Sequence, residues 1–260
     1  MDWSRAKTIL IIAFILFDLY LAVQLGQMMQ QKSHLLQSDK INEQQISHLL
    51  KANQIELAAP KPKDIGQTDA FKANITRMPQ SEGWEQDEKG GYVKKFSVLP
   101  SYKNMNGLEQ ILNSQIKVFR DFHFSEKDST TNKIVFLQWH KGKPIFDGRL
   151  EVRVLKGKIQ SIRIVHFELK EPSSVKLISF SNALYNLIVS GKLEKNSKIT
   201  AAELGYKART YAVDNGDSIL IPYWRFYAGN KSLDVNAQGL NEDVEATPQQ
   251  QNEDKGKKSS

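Results

Sequence analysis

One stretch near the start constrains this chain more than anything after it: Ile9 to Leu25 is apolar apart from Asp18, Tyr20 and Gln24. Counted from Ala6, the segment to Leu25 holds 20 residues. As a helix that is about 30 Å, the hydrocarbon thickness of a bilayer. The segment is apolar all round instead of along one stripe, which argues against the surface helix of a globular fold. A cleaved signal is the competing reading. The apolar run exceeds the roughly 7–15 residues of such a core, and Ala22-Val-Gln and Leu25-Gly-Gln are poor cleavage sequences. A retained anchor is expected. Arg5 and Lys7 precede it with no comparable basic cluster just after it. Residues 1–7 are therefore expected in the cytoplasm, 8–26 in the membrane and the remainder outside.

Asp18 lies well inside this span, where an ionised carboxylate costs at least about 2.5 kcal/mol. Asp18, Ala22 and Gly26 stand four residues apart and form one helical stripe. Two small residues for close approach and one polar group in need of a partner fit a helix–helix contact in the membrane. The plainer reading keeps Asp18 protonated, or snorkelling toward the outer interface.

Roughly 200 residues then remain for a fold, enough for one large domain or two small lobes. The chain has no cysteine. Disulfides, thiolate metal sites and cysteine nucleophiles are excluded together. The net charge of +7 is spread along the sequence, not gathered into basic blocks. That argues against a nucleic-acid stripe.

Residues 27–38 read as a polar spacer, or equally as a continuation of the anchor helix, and a short helix is expected over Asp39–Ala52 with Asp39 as its cap. Pro60-Lys-Pro62 ends regular structure there. A strand is expected over Tyr92–Leu99. Asn106 should open an amphipathic helix with Glu109 in a capping box, burying Leu108, Ile111, Leu112, Ile116 and Phe119. Strands Lys133–Trp139 and Arg149–Leu155 flank the turn residues Gly142, Pro144 and Gly148. After a turn at Lys156-Gly157 comes one long strand, Ile159–Leu169.

A second amphipathic helix carries Phe180, Leu184, Leu187 and Ile188 and stops at Gly191. Strands Leu204–Val213 and Ser218–Tyr227 flank the Asp214–Asp217 hairpin turn, and Ser232–Ala237 follows Gly229-Asn230. Helix followed by strands thus occurs twice. The expected class is α+β, with two antiparallel sheet-plus-helix lobes at 39–126 and 127–240. From Asn241 to Ser260 the chain is nearly devoid of apolar residues and reads as a disordered tail.

No catalytic constellation emerges. The five histidines, His34, His48, His123, His140 and His166, show no zinc spacing, and no serine sits in a nucleophile elbow. His140 and Asp147 straddle a turn-rich connection, a weak acid–base pair. Asp214, Asn215 and Asp217 imitate the start of a calcium loop without its later ligands, so a tight turn explains them. Tyr223, Trp224, Phe226 and Tyr227 fit a strand core better than a ligand groove. No catalytic, metal-binding or cofactor-binding residue is assigned.

Met1-Asp-Trp-Ser-Arg-Ala-Lys-Thr-Ile, running directly into an apolar helix, resembles the opening of YycI (WalI) proteins of the YycH/YycI family. The segment Gly148-Arg-Leu-Glu-Val-Arg-Val154 with its Lys156-Gly157 turn is similar to the family pattern. So are Ile221-Pro-Tyr-Trp-Arg225 and Asp234-Val-Asn-Ala237, although PepSY-like modules share such strands. The resemblance runs from Met1 to about Leu240. Asp18 departs from it, standing where relatives carry a polar residue such as Asn.

The resemblance implies a non-enzymatic membrane regulator without cofactors. Its implied partners are a YycH-type protein and a WalK-type sensor histidine kinase, met through membrane helices, with cell-wall metabolism as the output. The alternatives are an extracytoplasmic sensor module for a wall or lipid component, and an anchored wall enzyme or protease inhibitor.

Overall fold

The computed structural model describes residues 13–21, 23–24, 43–210, 218–239 and 244–248. Asp39, the Asp214–Asp217 turn and the spacer 27–38 lie outside these. The fold is a mixed α+β structure with a large sheet. Its strand path is β13-β12-β11-β10-β7-β8-β4-β3, with β1, β2, β5 (Phe122–Phe124), β6 and β9 joined at the sides.

One half of the sheet carries helix α2, Met105–Gln115, over β3 (Trp84–Gln86), β4 (Tyr92–Lys95), β7 (Lys143–Leu155) and β8 (Lys158–Ile164). Leu108 and Leu112 are fully buried against Leu150, Val152, Ile162 and Trp84. Each such aliphatic side chain contributes about 1.5–3 kcal/mol by leaving water. The helix starts earlier than the Asn106–Glu109 pairing implies. Asn104 is extended and its Oδ1 accepts from Gly107 N at 2.9 Å, so the cap lies two residues upstream. Ile116 is the C-cap, and Phe119 belongs to a separate 3-10 turn, Phe119–Asp121.

The other half carries α1 (Glu43–Ala52) and α3 (Phe180–Val189) over β10 (Lys198–Thr210), β11 (Ser218–Ala228) and β12 (Lys231–Asn236). Ile46 of α1 joins Phe180, Leu184, Leu187, Trp224 and Leu233 in one apolar cluster. Strand β1, Glu56–Leu57, runs parallel to β10, so the early segment 43–59 packs with residues 175–237. Ser179 caps α3 by accepting from Asn182 N.

Three further expectations need correction. First, Pro144 and Gly148 are not turn residues. The turn is Lys141-Gly142 (φ 47° and 76°), and β7 runs through both later positions, pairing with β6, Lys133–His140. Gly148 is small for another reason: a Cβ there would stand 2.7 Å from Gln138 Oε1. Second, the long strand Ile159–Leu169 is two strands broken at Val165-His166. Strand β8 pairs with β4 and β7, whereas β9, Phe167–Lys176, leaves them for β2, Gln67–Ile75. Gln138 holds this corner: its amide donates to Phe167 O and accepts from Phe167 N, both at 2.8 Å, standing in for a strand neighbour. Third, the segment expected to be a disordered tail from Asn241 contributes β13, Val244–Pro248, antiparallel to β12. The open edge of β12 offers N–H and C=O groups that a polar sequence satisfies as well as an apolar one.

Candidate functional site

The two halves of the sheet meet where β10 crosses β7 in a single parallel pair, Tyr206↔Ile145. The approach is close because residue 205 is glycine. A Cβ there would lie 2.5 Å from both the Phe146 ring and the Pro144 carbonyl. Beside this crossing, Asp147 Oδ2 accepts from Ala208 N at 2.7 Å, a side chain filling a ladder position between the halves.

Around it lies a charged seam. Arg225 on β11 makes a two-pronged contact with Asp234 on β12, Nε–Oδ1 2.6 Å and Nη2–Oδ2 2.8 Å. Their side chains are 3% and 0% exposed. Lys207 Nζ reaches the same carboxylate at 3.2 Å, and the Arg225 guanidinium stacks 3.8 Å above the Phe146 ring of the other half. On the neighbouring strand positions, Tyr227 Oη donates to Glu203 at 2.6 Å and Lys127 sits over the Tyr227 ring.

Burial alone would lower the Arg225 pKa, but the hydrogen-bonded Asp234 carboxylate reverses this and holds it above the ordinary value. Burial also raises Asp147 and Tyr227. The seam is thus a set of fixed, mutually compensated charges. It contains no free nucleophile beside a base. Its chemistry is the registration of one half of the sheet on the other.

The second polar cluster is a chain: Thr76 Oγ1 to His166 Nδ1 at 2.6 Å, and His166 Nε2 to Asp121 at 3.0 Å. Burial keeps the His166 pKa below its usual value in spite of Asp121. His140 and Asp147 do not meet: His140 packs edge-on against Phe71, and Asp147 faces β10. Among the described residues no group of three or more His, Asp or Glu side chains is placed to hold a metal.

Of the membrane stripe, Asp18 lies in the helical residues 13–21; Ala22 and Gly26, like Arg5 and Lys7, lie outside the described residues. Phe14, Ile15, Leu16, Phe17, Leu19, Tyr20, Leu21 and Val23 are all 47–62% exposed, so the described domain covers no side of this helix. Among the described residues no helix is long and apolar enough to cross a membrane.

Arg225 and Asp234 come from the two strand segments that carry the family resemblance, yet the sequence reading did not pair them. The signal was available. They are symmetric about the tight Gly229-Asn230 turn that joins β11 to β12, and a two-residue hairpin fixes that register.

The sequence matches the YycI protein family over residues 30–241. The chain belongs to the YycI family. The family consists of regulators of the WalK (YycG) two-component system, and is not one known for catalysis. No curated protein matches the sequence significantly. Two of the solved structures similar to part of it illustrate the likeness. One is an uncharacterized protein from Eubacterium rectale ATCC 33656, with 13% identity, a TM-score of 0.34, and coverage of 58% of this chain and 54% of that one. The chain therefore spans about half the length of that protein. The other is the Bacillus megaterium YpeB C-terminal domain, with 14% identity, a TM-score of 0.34, and coverage of 80% and 98%.

Proposed function

We propose that this chain is a single-pass membrane protein, residues 8–26 spanning and 27–38 acting as spacer, whose folded part lies outside the cytoplasm. There it modulates a WalK-type sensor histidine kinase together with a YycH-type partner, and so adjusts cell-wall metabolism without catalysing a reaction. The observation that carries this reading is the family match over residues 30–241. The uncovered apolar side chains Phe14–Phe17, Leu19–Leu21 and Val23 support it: left in water they are unstable, whereas lipid or partner helices cover them. Asp18, Ala22 and Gly26 are the proposed contact stripe. We read the two halves of the sheet as PepSY-like lobes that the seam holds in register.

The test fuses residues 1–38 to an inert folded domain and measures kinase output in cells lacking the native chain. Retained regulation supports action through the anchor. Ala22→Leu should weaken co-purification with the kinase by about 5- to 30-fold, the equivalent of one lost packing contact in the membrane. An equal effect from Ala13→Leu on the opposite face would remove the stripe assignment. Topology is read separately: a cysteine at Ser38 should react with an impermeant thiol reagent in intact cells. Labelling only after lysis overturns the orientation.

A second reading has one observation in its favour. Helices α1 and α3 flank a groove of about 400 Å³ lined by Ile46, Leu50, Ile55 and Leu184, a size that suits a small ligand.

A further inference from the structure

At the far end of the helix α2 half, the β7–β8 hairpin turns at Lys156-Gly157 (φ 50° and 70°). The segment 96–102 is laced to this tip. Ile159 N donates to Pro100 O at 2.8 Å, Tyr102 N to Gly157 O at 3.3 Å, and Ser101 bridges Lys158. Two apolar side chains project here with nothing over them: Val98 is 84% exposed and Leu155 is 55% exposed.

Lysines surround them. Lys95, Lys103, Lys156 and Lys158 are all exposed, as is Arg153 one turn of the pleat below. No Asp or Glu occurs between Glu88 and Glu109, or between Glu151 and Glu168. Among the described residues none of these five cations has a side-chain hydrogen bond or ion pair. All four residues of the turn, Leu155–Lys158, are exposed.

We propose that this tip is a second membrane contact, in which Val98 and Leu155 enter the headgroup region of a bilayer containing anionic phospholipid and the surrounding cations sit at its phosphates. Apolar side chains ringed by lysines on a projecting turn fit an interface that is oily beneath and negative on top. A soluble polyanion would use the lysines and leave Val98 and Leu155 in water. A nucleic acid would call for stacking aromatics among the cations, and the projecting side chains are aliphatic. The contact rests on the membrane-anchored reading for its bilayer. It deepens that reading by fixing which end of the domain faces the lipid.

The absence of cysteine makes the test direct. The full-length chain is placed in nanodiscs of phosphatidylcholine, alone or mixed with phosphatidylglycerol. A fluorophore is attached at Leu155→Cys, at Tyr20→Cys in the N-terminal helix, or at exposed Asn230→Cys on the β11–β12 turn. Brominated lipid reports which probe is in the bilayer.

The expected result is quenching at Tyr20 in both discs, quenching at Leu155 only with phosphatidylglycerol, and none at Asn230. Lys156→Glu with Lys158→Glu should lower the docked-to-free ratio of the Leu155 probe by about tenfold or more, and salt should release it. Unchanged melting of that double variant shows that the loss is not unfolding. A quenched Tyr20 with an unquenched Leu155 overturns the tip contact and leaves the anchor standing. An unquenched Tyr20 overturns the anchor. Protection of the Leu155 probe by soluble polyphosphate instead of lipid overturns the bilayer assignment in favour of a polyanionic polymer.

Discussion

The seam between the halves of the sheet and the tip of the β7–β8 hairpin are both rich in charge, and they treat it in opposite ways. At the seam Arg225, Lys207 and Asp234 are buried or nearly so and hydrogen-bonded to one another. At the tip Lys95, Lys103, Lys156 and Lys158 are exposed and bonded to nothing described. The difference follows from solvation. A buried charge without its counter-charge costs several kcal/mol, so a fold keeps it only when paired. An exposed lysine costs nothing unpaired, and adds nothing to stability either. The seam's charges therefore serve the fold, and the tip's are free to serve something outside it.

The sharpest way to break this contrast is to unpair the seam. Asp234→Leu leaves Arg225 buried without its carboxylate and should cost about 3–5 kcal/mol. For a domain of this size that is a Tm drop of roughly 6–20 °C by calorimetry. Adding Arg225→Met should recover much of the loss. If the single variant melts like the parent, the seam is more hydrated than its burial implies.

Next in size is Gly205→Ala, whose Cβ meets the Pro144 carbonyl and the Phe146 ring at 2.5 Å. A backbone atom cannot swing aside, so a destabilisation of about 1–3 kcal/mol is expected from urea titration.

A smaller effect comes from pH. Burial holds the His166 pKa below its unfolded value near 6.5, against the pull of Asp121. The unfolded chain therefore takes up a proton that the folded one resists. This contribution is fully present above the unfolded pKa and is lost as pH falls through it toward the depressed folded value. One proton sets a slope of at most about 1.4 kcal/mol per pH unit. His166→Gln should flatten the fall in Tm between about pH 7 and pH 5. An unchanged profile would assign the acid sensitivity elsewhere.

Smallest of all, Lys156→Glu with Lys158→Glu should change stability by less than about 0.5 kcal/mol. A larger change would show that the tip belongs to the fold after all.

The helices were legible because their signal is local. Leu108, Leu112 and Ile116, and Phe180, Leu184 and Leu187, recur at helical spacing and are the residues that are buried. The Lys156-Gly157 turn was equally plain. What escaped was whatever a distant partner decides. Gly148 looks like a turn glycine and is one that makes room for Gln138. The break at Val165-His166 has no breaker residue; it arises because β9 changes partner and Gln138 captures Phe167. Strand β13 offers only Val244 and Ala246 as apolar alternation, too short a signal to read amid a polar stretch, and it pairs along the edge of β12. Arg225 and Asp234 were each visible as strand charges, and only the hairpin register makes them a pair.

The packing of α1 also sets a timetable. Ile46 and Ile55 share their cluster with Trp224, Leu233 and Ala237, so the first helix of the domain cannot complete its burial until the last strands exist. At about 5–20 residues per second of synthesis, the stretch of roughly 190 residues from Ile46 to Ala237 takes on the order of 10–40 s. Through that interval the apolar face of α1 is an orphan, and closure must be a late, long-range step of the kind that makes folding slow.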